Sequence, residues 1–151
     1  MTEQLNYNTR IIDASETIPV RHPVLRPGKP IESCNFDGDN LETTFHLGIF
    51  LNNQIVGVVS YFKNCNDLLT ESSQYQLRGM AVLEDFQGKG LGNLLVQQGD
   101  TLLREKKIKT LWCNAREVAT TFYQKNNFTI IGEPFNIKDI GLHYVMYKTL
   151  T

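Results

Sequence analysis

The sequence lacks the features of a disulfide-rich or zinc-binding protein. It has only three cysteines, Cys34, Cys65 and Cys113. They are far apart, they form no CxxC pair, and no histidine accompanies them at the spacing of metal ligands. We therefore predict neither a disulfide framework nor a metal site. The three thiols are expected to be reduced and to pack as small hydrophobic side chains.

The sequence also lacks a long apolar segment, a leader and an excess of charge. No apolar run approaches the roughly 20 residues that span a bilayer, and the N-terminal residues MTEQLNYNTR do not combine a basic stretch with an apolar one. The formal net charge of -1 at pH 7 leaves no excess positive field to attract nucleic acid. We predict a cytoplasmic protein that binds neither membranes nor nucleic acid.

The length and composition are those of a globular domain. A chain of 151 residues is long enough to bury roughly two thirds of its unfolded surface in one core. Hydrophobic residues make up 41% of the chain, which is ordinary for a soluble protein with such a core. We predict a single domain over residues 1–151.

Apolar patterns predict strands and helices in a mixed α/β order. The expected strands are Tyr7–Asp13, Leu41–Leu51, Ile55–Phe62, Gln74–Leu83, Lys109–Cys113, Phe128–Gly132 and Leu142–Leu150. The polar turn Asn52-Asn53-Gln54 joins the second and third of these as an antiparallel hairpin. A helix is expected after Gly92, with one apolar face made of Leu94, Leu95, Gln98, Leu102 and Leu103. A second, short helix is expected over Val118–Asn126.

Four prolines interrupt the region after the first strand. Pro19, Pro23, Pro27 and Pro30 each remove a backbone donor and disfavour helical geometry in the preceding residue. A helix in this region is therefore expected to be short, and Ile18–Asn40 to consist of broken helix and loop. Its polar end, CNFDGDN, is either a solvated loop or the wall of a site.

A glycine-rich loop joins a predicted strand to the predicted helix within LRGMAVLEDFQGKGLG. Gly88, Gly90 and Gly92 mark the helix entry. At such a junction the first helical turn presents unpaired backbone N–H groups and the positive end of the helix dipole. Glycine also removes the Cβ atoms that would hold a ligand away. The pattern predicts a phosphate-binding loop.

Two common nucleotide motifs fit this loop poorly. A P-loop needs GxxxxGK[ST], but Lys89 is followed by Gly90, so no hydroxyl is available for magnesium. A dinucleotide fingerprint needs GxGxxG in a βαβ unit, whereas these glycines are spaced GxGxG and follow predicted antiparallel strands. A turn without a ligand would explain one or two glycines more easily than three around a lysine.

The loop and a downstream segment together resemble the GNAT family of N-acetyltransferases. Gln87-Gly88-Lys89-Gly90-Leu91-Gly92 is similar to the family's acyl-CoA pyrophosphate loop. Asn114-Ala115, Ala119, Phe122-Tyr123 and Asn127-Phe128 resemble the family segment "N-A … A-x-x-F-Y-x-x-x-G-F", with Asn127 where glycine is usual. CNFDGDN, the His46 strand and IGLHYVM resemble the group that includes the bacterial ElaA-like proteins.

This resemblance covers about Tyr7–Thr149 and is strongest over Gln76–Phe128. It implies the GNAT fold, a mixed, mostly antiparallel central sheet of about seven strands flanked by helices. It also implies an acetyl-CoA-dependent N-acetyltransferase that uses no metal and transfers acetyl directly from the CoA thioester to a primary amine. A non-catalytic acyl-CoA-binding sensor or interaction module is the alternative, and transfer to a hydroxyl or thiol is a weaker one.

The resemblance also implies which residues contact acetyl-CoA. The strand before the loop would pair through the backbone of Met80, Ala81 and Val82 with the pantetheine arm. The loop amides of Gln87, Gly88, Lys89, Gly90, Leu91 and Gly92 would bind the pyrophosphate, each charge-assisted bond contributing about 1.5–3 kcal/mol. Lys89 adds a point charge or is simply a solvated residue. Asn114 either contacts the cofactor arm or forms a strand-end turn.

Catalytic roles are implied for a tyrosine and a histidine. Tyr123 matches the family tyrosine that protonates the departing thiolate, and a phenol is protonated at neutral pH; its alternative is an aromatic on an apolar helix face. The amine must lose a proton before it attacks, and the candidate bases are His143, His46, Glu84 and a water chain. His143 is favoured because the last two strands border the acceptor side in the family. Cys113 lies inside a strand without an adjacent base, so a structural thiol is preferred to an acyl-enzyme nucleophile.

The acceptor itself is left open by the sequence. Asp37, Asp39, His46 and Arg78 are candidates to line its pocket, and the acids favour a cationic amine. The acceptor is expected to be a small-molecule or peptide amine, and the transferred group to be acetyl or a longer acyl chain. A homodimer is a possible assembly, because packing of the last strands between protomers is common in the family.

Overall fold

The computed structural model describes residues 6–150, and its elements follow the predicted order. The strands are β1 Tyr7–Ile12, β2 Phe45–Leu51, β3 Gln54–Phe62, β4 Gln74–Val82, β5 Thr110–Arg116, β6 Thr129–Ile137 and β7 Gly141–Thr149. The helices are α1 Ala14–Leu25, α2 Leu91–Glu105 and α3 Thr120–Lys125, with short 3-10 turns at Ile31–Cys34, Glu84–Phe86 and Glu117–Ala119. Residues 1–5, in the segment where we predict no leader, and residue 151 lie outside the described part.

Seven strands form one mixed sheet in the order β1-β2-β3-β4-β5-β7-β6. The pairs β1/β2, β2/β3, β5/β7 and β6/β7 are antiparallel, and β4/β5 is parallel. A parallel pair needs a crossover connection, which α2 provides between β4 and β5. The predicted mixed, mostly antiparallel sheet with flanking helices is confirmed.

The contacts between residues in the folded chain divide it into two compact units. The first unit comprises Met1–Phe62 and Gly79–Gly99, and the second comprises Lys63–Arg78 and Asp100–Thr151. The single domain over residues 1–151 stays a prediction.

The first unit is built on an antiparallel meander of β1, β2 and β3. The predicted hairpin is confirmed, with Asn52 in the left-handed conformation that a tight turn needs, at φ +56°. One apolar cluster of this unit consists of Ile12, Val20, Phe50, Val58 and Ala81. Burial of a side chain of the size of Val or Phe contributes roughly 1.5–3 kcal/mol, so the cluster holds α1 and the end of β4 to the meander.

The prediction of a short, broken helix around the prolines was wrong for α1. This helix has 12 residues and runs through Pro19 and Pro23. Both prolines are exposed and lie four residues apart on one side of the helix, so the carbonyls that lose a helical partner face water. The other side buries Thr17, Val20 and Arg21. The helix ends at Leu25, two residues before Pro27, as the rule for residues preceding proline predicts.

Several strand boundaries also differ from prediction, most by one residue; β5 ends at Arg116 rather than Cys113, and the largest differences are at β2 and β6. β2 begins at Phe45 rather than Leu41, because the Thr44 N–H donates to the Leu41 carbonyl (3.0 Å) and closes a turn. β6 continues past Gly132 to Ile137 although it contains Pro134. It is an edge strand with a register shift between Ile131 and Phe135, and a proline is tolerated at such a bulge.

The buried face of α2 is shifted from the predicted one. Leu91, Leu95 and Leu103 are buried, whereas Leu94 is 43% exposed. Gly99 belongs to the buried face because a Cβ atom there would lie 2.0 Å from the Tyr61 hydroxyl. α2 has 15 residues, and within residues 6–150 no helix has the length and apolarity needed to cross a membrane.

Candidate functional site

The loop between β4 and α2 has a left-handed backbone at two of its glycines. Gly88 has a φ of +77° and Gly90 a φ of +80°, values that residues with a Cβ atom rarely adopt. A Cβ atom built at either glycine would meet no heavy atom within 4 Å. The backbone of the loop is therefore open on the side where side chains would otherwise stand.

The loop leads directly into the N-terminus of α2. The Leu94 N–H donates to the Gly90 carbonyl at 3.2 Å, so helical bonding starts inside the loop. The first turn contains no acidic residue, and the aligned peptide dipoles add about half a positive charge at this end. N–H groups of a first helical turn point beyond the helix end. These residues fit a phosphate group, because they offer backbone donors, positive potential and open space.

The entry to the loop is fixed by hydrogen bonds to neighbouring strands. The Gln87 side chain donates through Nε2 to the Val82 carbonyl at 2.8 Å. The Leu83 N–H donates to the Val56 carbonyl at the same distance of 2.8 Å. Gln87 thus closes the loop against the end of β4, a contact that sequence reasoning did not predict. The Lys89 side chain is exposed.

The predicted pantetheine contacts lie on the last residues of β4. Ala81 is buried, and Met80 and Val82 are half-buried. The parallel ladder with β5 joins residues 74–76 of β4 to residues 110–112, so the β4 part of the ladder ends before Met80.

Tyr123 is a buried phenol on α3, in the second unit. Its ring meets Phe122 and Phe128 edge to face, with centroids 5.0 and 5.2 Å apart. Burial, with a smaller contribution from Cys113, raises the pKa of Tyr123 well above its ordinary value of 10.0. The phenol is therefore protonated at neutral pH, and it can donate a hydrogen bond or a proton.

β5 carries two further residues that the sequence singled out. Asn114 is exposed and lies within the strand, opposite Val145 of β7, rather than in a strand-end turn. Cys113 is buried, and burial raises the pKa of its thiol. A buried thiol of this kind is not a nucleophilic thiolate, which supports the structural interpretation of Cys113.

His143 is a buried histidine on β7 whose tautomer follows from one contact. Its Nδ1 lies 2.8 Å from the Gly141 carbonyl oxygen. Because a carbonyl oxygen only accepts, Nδ1 carries the hydrogen and the lone pair of the neutral ring is on Nε2. Phe135 packs against the ring with centroids 5.8 Å apart. A held imidazole with a basic Nε2 is what a general base requires.

Asp39 and His46 belong to a buried polar network in the first unit. Arg21, fully buried on α1, donates to both carboxylate oxygens of Asp39 at 2.7 and 3.0 Å and to Ser60 Oγ at 2.9 Å. His46 Nε2 lies 2.9 Å from the Asp39 carbonyl oxygen and Nδ1 lies 2.6 Å from Ser60 Oγ. Nε2 therefore carries the hydrogen and Nδ1 accepts from the Ser60 hydroxyl. Both ring nitrogens of His46 are engaged inside the network.

The charge of Asp39 is neutralised within this network. Burial acts to raise the pKa of Asp39, but hydrogen bonds from Arg21 and the Phe36 N–H, together with the positive charge of Arg21, hold it below its ordinary value of 3.8. Two residues away, Asp37 is exposed, and Arg78 in the second unit is half-buried. The acceptor-site roles of Asp37, Asp39, His46 and Arg78 stay predictions.

A cavity of about 440 Å³ opens in the first unit beside the network. Asp39, Thr44, His46 and the first turn of α1 line it. The structure thus brings two of the four predicted acceptor residues to one cavity. Within residues 6–150, no group of three or more His, Cys, Asp or Glu side chains is arranged to hold a metal ion.

Sequence reasoning did not predict two buried ion pairs, one within each unit. Arg21 is 18 residues from Asp39 in the chain, and Lys148 is 48 residues from its buried partner Asp100. No local pattern reports such pairs. The one available signal was Lys148 itself, a charged residue in the otherwise strand-like run LHYVMYKTL.

Comparison with known proteins adds a relationship to this geometry. Residues 11–128 match the profile of the Acetyltransferase (GNAT) family. The chain is 40% identical over 141 residues to a Bacillus subtilis (strain 168) protein named uncharacterized N-acetyltransferase YitI, covering 93% of this chain and 95% of that protein.

Two solved structures share the fold. An aminoglycoside 6'-N-acetyltransferase complexed with coenzyme A has a TM-score of 0.77 at 11% identity, over 95% of this chain and 97% of that one. ElaA from Escherichia coli has a TM-score of 0.71 at 17% identity, over 96% and 99%. At such identities these structures bear on the fold alone.

Proposed function

This chain belongs to the GNAT family of acetyltransferases and is an N-acetyltransferase, and on this premise we propose that it transfers acetyl from acetyl-CoA directly to a primary amine. Acetyl-CoA is the acyl donor of the family, and one structure with the same fold is a complex with coenzyme A. We further infer that residues 1–151 work as a single catalytic domain.

The observation that carries the proposal is the open glycine loop at the N-terminus of α2. Its left-handed Gly88 and Gly90 leave the backbone uncovered, and the helix end supplies positive potential. We infer that the amides of Gln87, Gly88, Lys89, Gly90, Leu91 and Gly92 bind the pyrophosphate. Each charge-assisted bond is worth about 1.5–3 kcal/mol.

We assign the rest of the donor site to backbone and amide groups. The β4–β5 ladder ends at Gln76, and we propose that the backbone of Met80, Ala81 and Val82 pairs instead with the pantetheine arm. We propose that Asn114, exposed on β5, contacts the same arm. The donor is thereby held along its length before any chemistry begins.

His143 and Tyr123 are the residues that we propose to handle the protons. His143 Nε2 takes a proton from the ammonium group and so leaves a neutral amine, whose nitrogen then bonds to the thioester carbonyl carbon. The nitrogen loses its second proton to solvent as the carbon–sulfur bond breaks, and His143 returns its own proton to solvent. Tyr123 donates a hydrogen bond, and finally a proton, to the departing sulfur. Because the phenol is less acidic than a thiol of pKa about 8.5, its main contribution is the hydrogen bond to the developing thiolate. Solvent then restores the phenol proton, and the products are an amide and a free thiol.

A cationic small-molecule or peptide amine is the acceptor that we propose. The carboxylate of Asp39 is already paired with Arg21, so exposed Asp37 is the acid that we expect to attract the amine. His46, at the cavity wall, is proposed to shape the pocket. Arg78 is kept as a proposed acceptor-site residue on the family resemblance. The second candidate function is a non-catalytic acyl-CoA sensor, which would use the same loop without turnover.

A pair of glycine variants tests the donor site. Gly90→Val should weaken acetyl-CoA binding about 10- to 100-fold, because the side chain fills the open side of the loop and disturbs one or two charge-assisted bonds. Gly28→Val is the matched control, since Gly28 also has a positive φ (+74°) and no heavy atom within 4 Å of a built Cβ. Isothermal titration calorimetry measures both. Wild-type affinity in Gly90→Val would exclude this loop as the pyrophosphate site.

Turnover separates the enzyme from the sensor. Thiol release from acetyl-CoA is followed with a panel of polyamines, amino acids, aminoglycosides and peptide N-termini. Release that depends on one amine class supports the transferase and names the acceptor. Tight acetyl-CoA binding without release on any amine would favour the sensor.

A further inference from the structure

Lys148 places a buried ammonium group inside the second unit. It lies on β7 and is 7% exposed. Its Nζ donates to the Asp100 carboxylate on α2 and to the Asn126 carbonyl oxygen at 3.1 Å. It also lies 4.8 Å from the centroid of the Phe128 ring. One cation thus contacts a helix and the segment that ends α3.

The segment that Lys148 contacts is a tightly bonded helix end. Asn127 is left-handed, with φ +73°. The Phe128 N–H donates to the Tyr123 carbonyl (3.0 Å) and the Asn127 N–H to the Gln124 carbonyl (3.1 Å). This is the bonding pattern of a Schellman motif. The Asn126 side chain adds a bond from Nδ2 to the Phe122 carbonyl at 2.9 Å.

The same segment fixes Tyr123 on two sides. The Tyr123 carbonyl accepts from the N–H groups of both Asn126 and Phe128, each at 3.0 Å. The Tyr123 ring packs edge to face on Phe128, whose ring is the one beneath the Lys148 ammonium. A shift of this segment would therefore move the phenol.

We propose that Lys148, held by Asp100, is a positioning residue for Tyr123: its bond to the Asn126 carbonyl and its contact with Phe128 set the end of α3. This inference rests on the proposed function, because it assigns Lys148 a part in turnover through Tyr123. Lys148 does not touch the reacting atoms in this account.

A contribution to folding stability does not by itself explain why Lys148 and Asp100 form a buried ion pair. Burial raises the pKa of Asp100 and lowers the pKa of Lys148, so desolvation opposes both charges. Within residues 6–150, Asp100 Oδ1 is buried without a hydrogen-bond partner. Apolar residues of similar volume often replace a buried ion pair without loss of stability. A purely structural role therefore predicts that an apolar pair preserves turnover as well as the fold.

The test replaces both charges at once, so that no lone charge is left buried. Two paired variants remove the ammonium group from the Asn126 carbonyl. The first is Lys148→Met/Asp100→Leu, and the second is Lys148→Met/Asp100→Asn. We expect kcat to fall roughly 10- to 100-fold, as for a misplaced catalytic group, with KM for acetyl-CoA and the far-UV circular dichroism unchanged. Lys125→Met, which removes an exposed lysine at the end of the same helix, is the matched control and should keep the wild-type kcat.

A double-mutant cycle shows whether the effect passes through Tyr123. The paired substitution is made in the wild type and in Tyr123→Phe. We expect the loss of kcat to be large in the first background and nearly absent in the second. Equal losses in both backgrounds, or wild-type kcat in a folded paired variant, would overturn the proposal.

Hydrogen exchange keeps this inference separable from the proposed function. The amides of Asn127 and Phe128 should exchange faster in the paired variants than in Lys125→Met. Unchanged protection of these amides would overturn the proposal even in an inactive protein. Wild-type turnover in Tyr123→Phe, by contrast, would remove the proposed role of Tyr123 whatever the amides do.

Discussion

At the scale of single residues, hydrogen-bond partners distinguish the two buried histidines. His46 has both ring nitrogens engaged, by the Asp39 carbonyl and by Ser60. His143 uses Nδ1 to donate to the Gly141 carbonyl, which leaves the lone pair at Nε2. A base must accept a proton without breaking an existing bond, so these contacts favour His143 over His46 for that role.

The role of Tyr123 gives a prediction about rate and pH. Tyr123→Phe should lower kcat about 10- to 100-fold, the value of one hydrogen bond to a developing charge, and leave KM for acetyl-CoA unchanged. Because burial raises the pKa of Tyr123 above 10.0, the phenol stays protonated through neutral and mildly alkaline pH. Any fall of kcat below pH 10 should therefore persist in Tyr123→Phe. Steady-state kinetics across pH measures both effects, and a fall that disappears in the variant would contradict the raised pKa.

At the scale of elements, the end of α3 shows how an unusual residue is accommodated. Asn127 stands where the family pattern has glycine, and its φ is +73°. Asn adopts this left-handed conformation more readily than other residues with a Cβ. The departure from the family pattern therefore keeps the backbone turn that joins α3 to β6.

Substitution at Asn127 should separate backbone strain from side-chain loss. Asn127→Gly should leave the free energy of unfolding within about 1 kcal/mol of wild type, since relief of strain is offset by a more flexible unfolded chain. Asn127→Val should lower it by about 1–3 kcal/mol, because a β-branched residue is strained at this φ. Urea unfolding measures the difference, with exposed Gln124→Val as the control within α3. Equal stability of the Gly and Val variants would contradict the strain account.

At the scale of the whole molecule, the proposed donor is coupled to folding. A ligand that binds the folded chain and not the unfolded chain stabilises it by mass action. The loop that we assign to the pyrophosphate is formed by the left-handed Gly88 and Gly90 and by the start of α2. Such a site exists only in the folded chain.

Thermal unfolding should therefore distinguish the three phosphate ligands considered for the glycine loop, which are acetyl-CoA, ATP with magnesium, and NADH. Acetyl-CoA at 100 times its Kd should stabilise the protein by about 2.7 kcal/mol, which raises the Tm by roughly 5–10 °C for a chain of this size. ATP with magnesium and NADH should have no effect at the same concentration. Gly90→Val should reduce the acetyl-CoA shift, and Gly28→Val should not. A larger shift with either nucleotide would contradict the assignment.

Element order was predictable because its signals are local. Turn chemistry at Asn52-Asn53 and apolar runs on either side are enough to predict the β2–β3 hairpin. Predictions failed where a local rule depended on its surroundings. Pro19 and Pro23 were expected to break the helix, but both lie on the exposed side of α1, where water can bind the freed carbonyls.

Within the candidate site, the sequence predicted the glycine loop at the entry to α2, and the role of that loop as the donor site stays a proposal. The sequence by itself determined the family, the order of strands and helices along the chain, and the position of the glycine loop. Each of these depends on residues that are close together in the chain. Only the tertiary structure decided that Arg21 neutralises Asp39, that His46 is engaged while His143 has its lone pair at Nε2, and that Lys148 holds the end of α3. These outcomes depend on burial and on hydrogen bonds between residues distant in sequence, and such contacts exist only once the chain has folded.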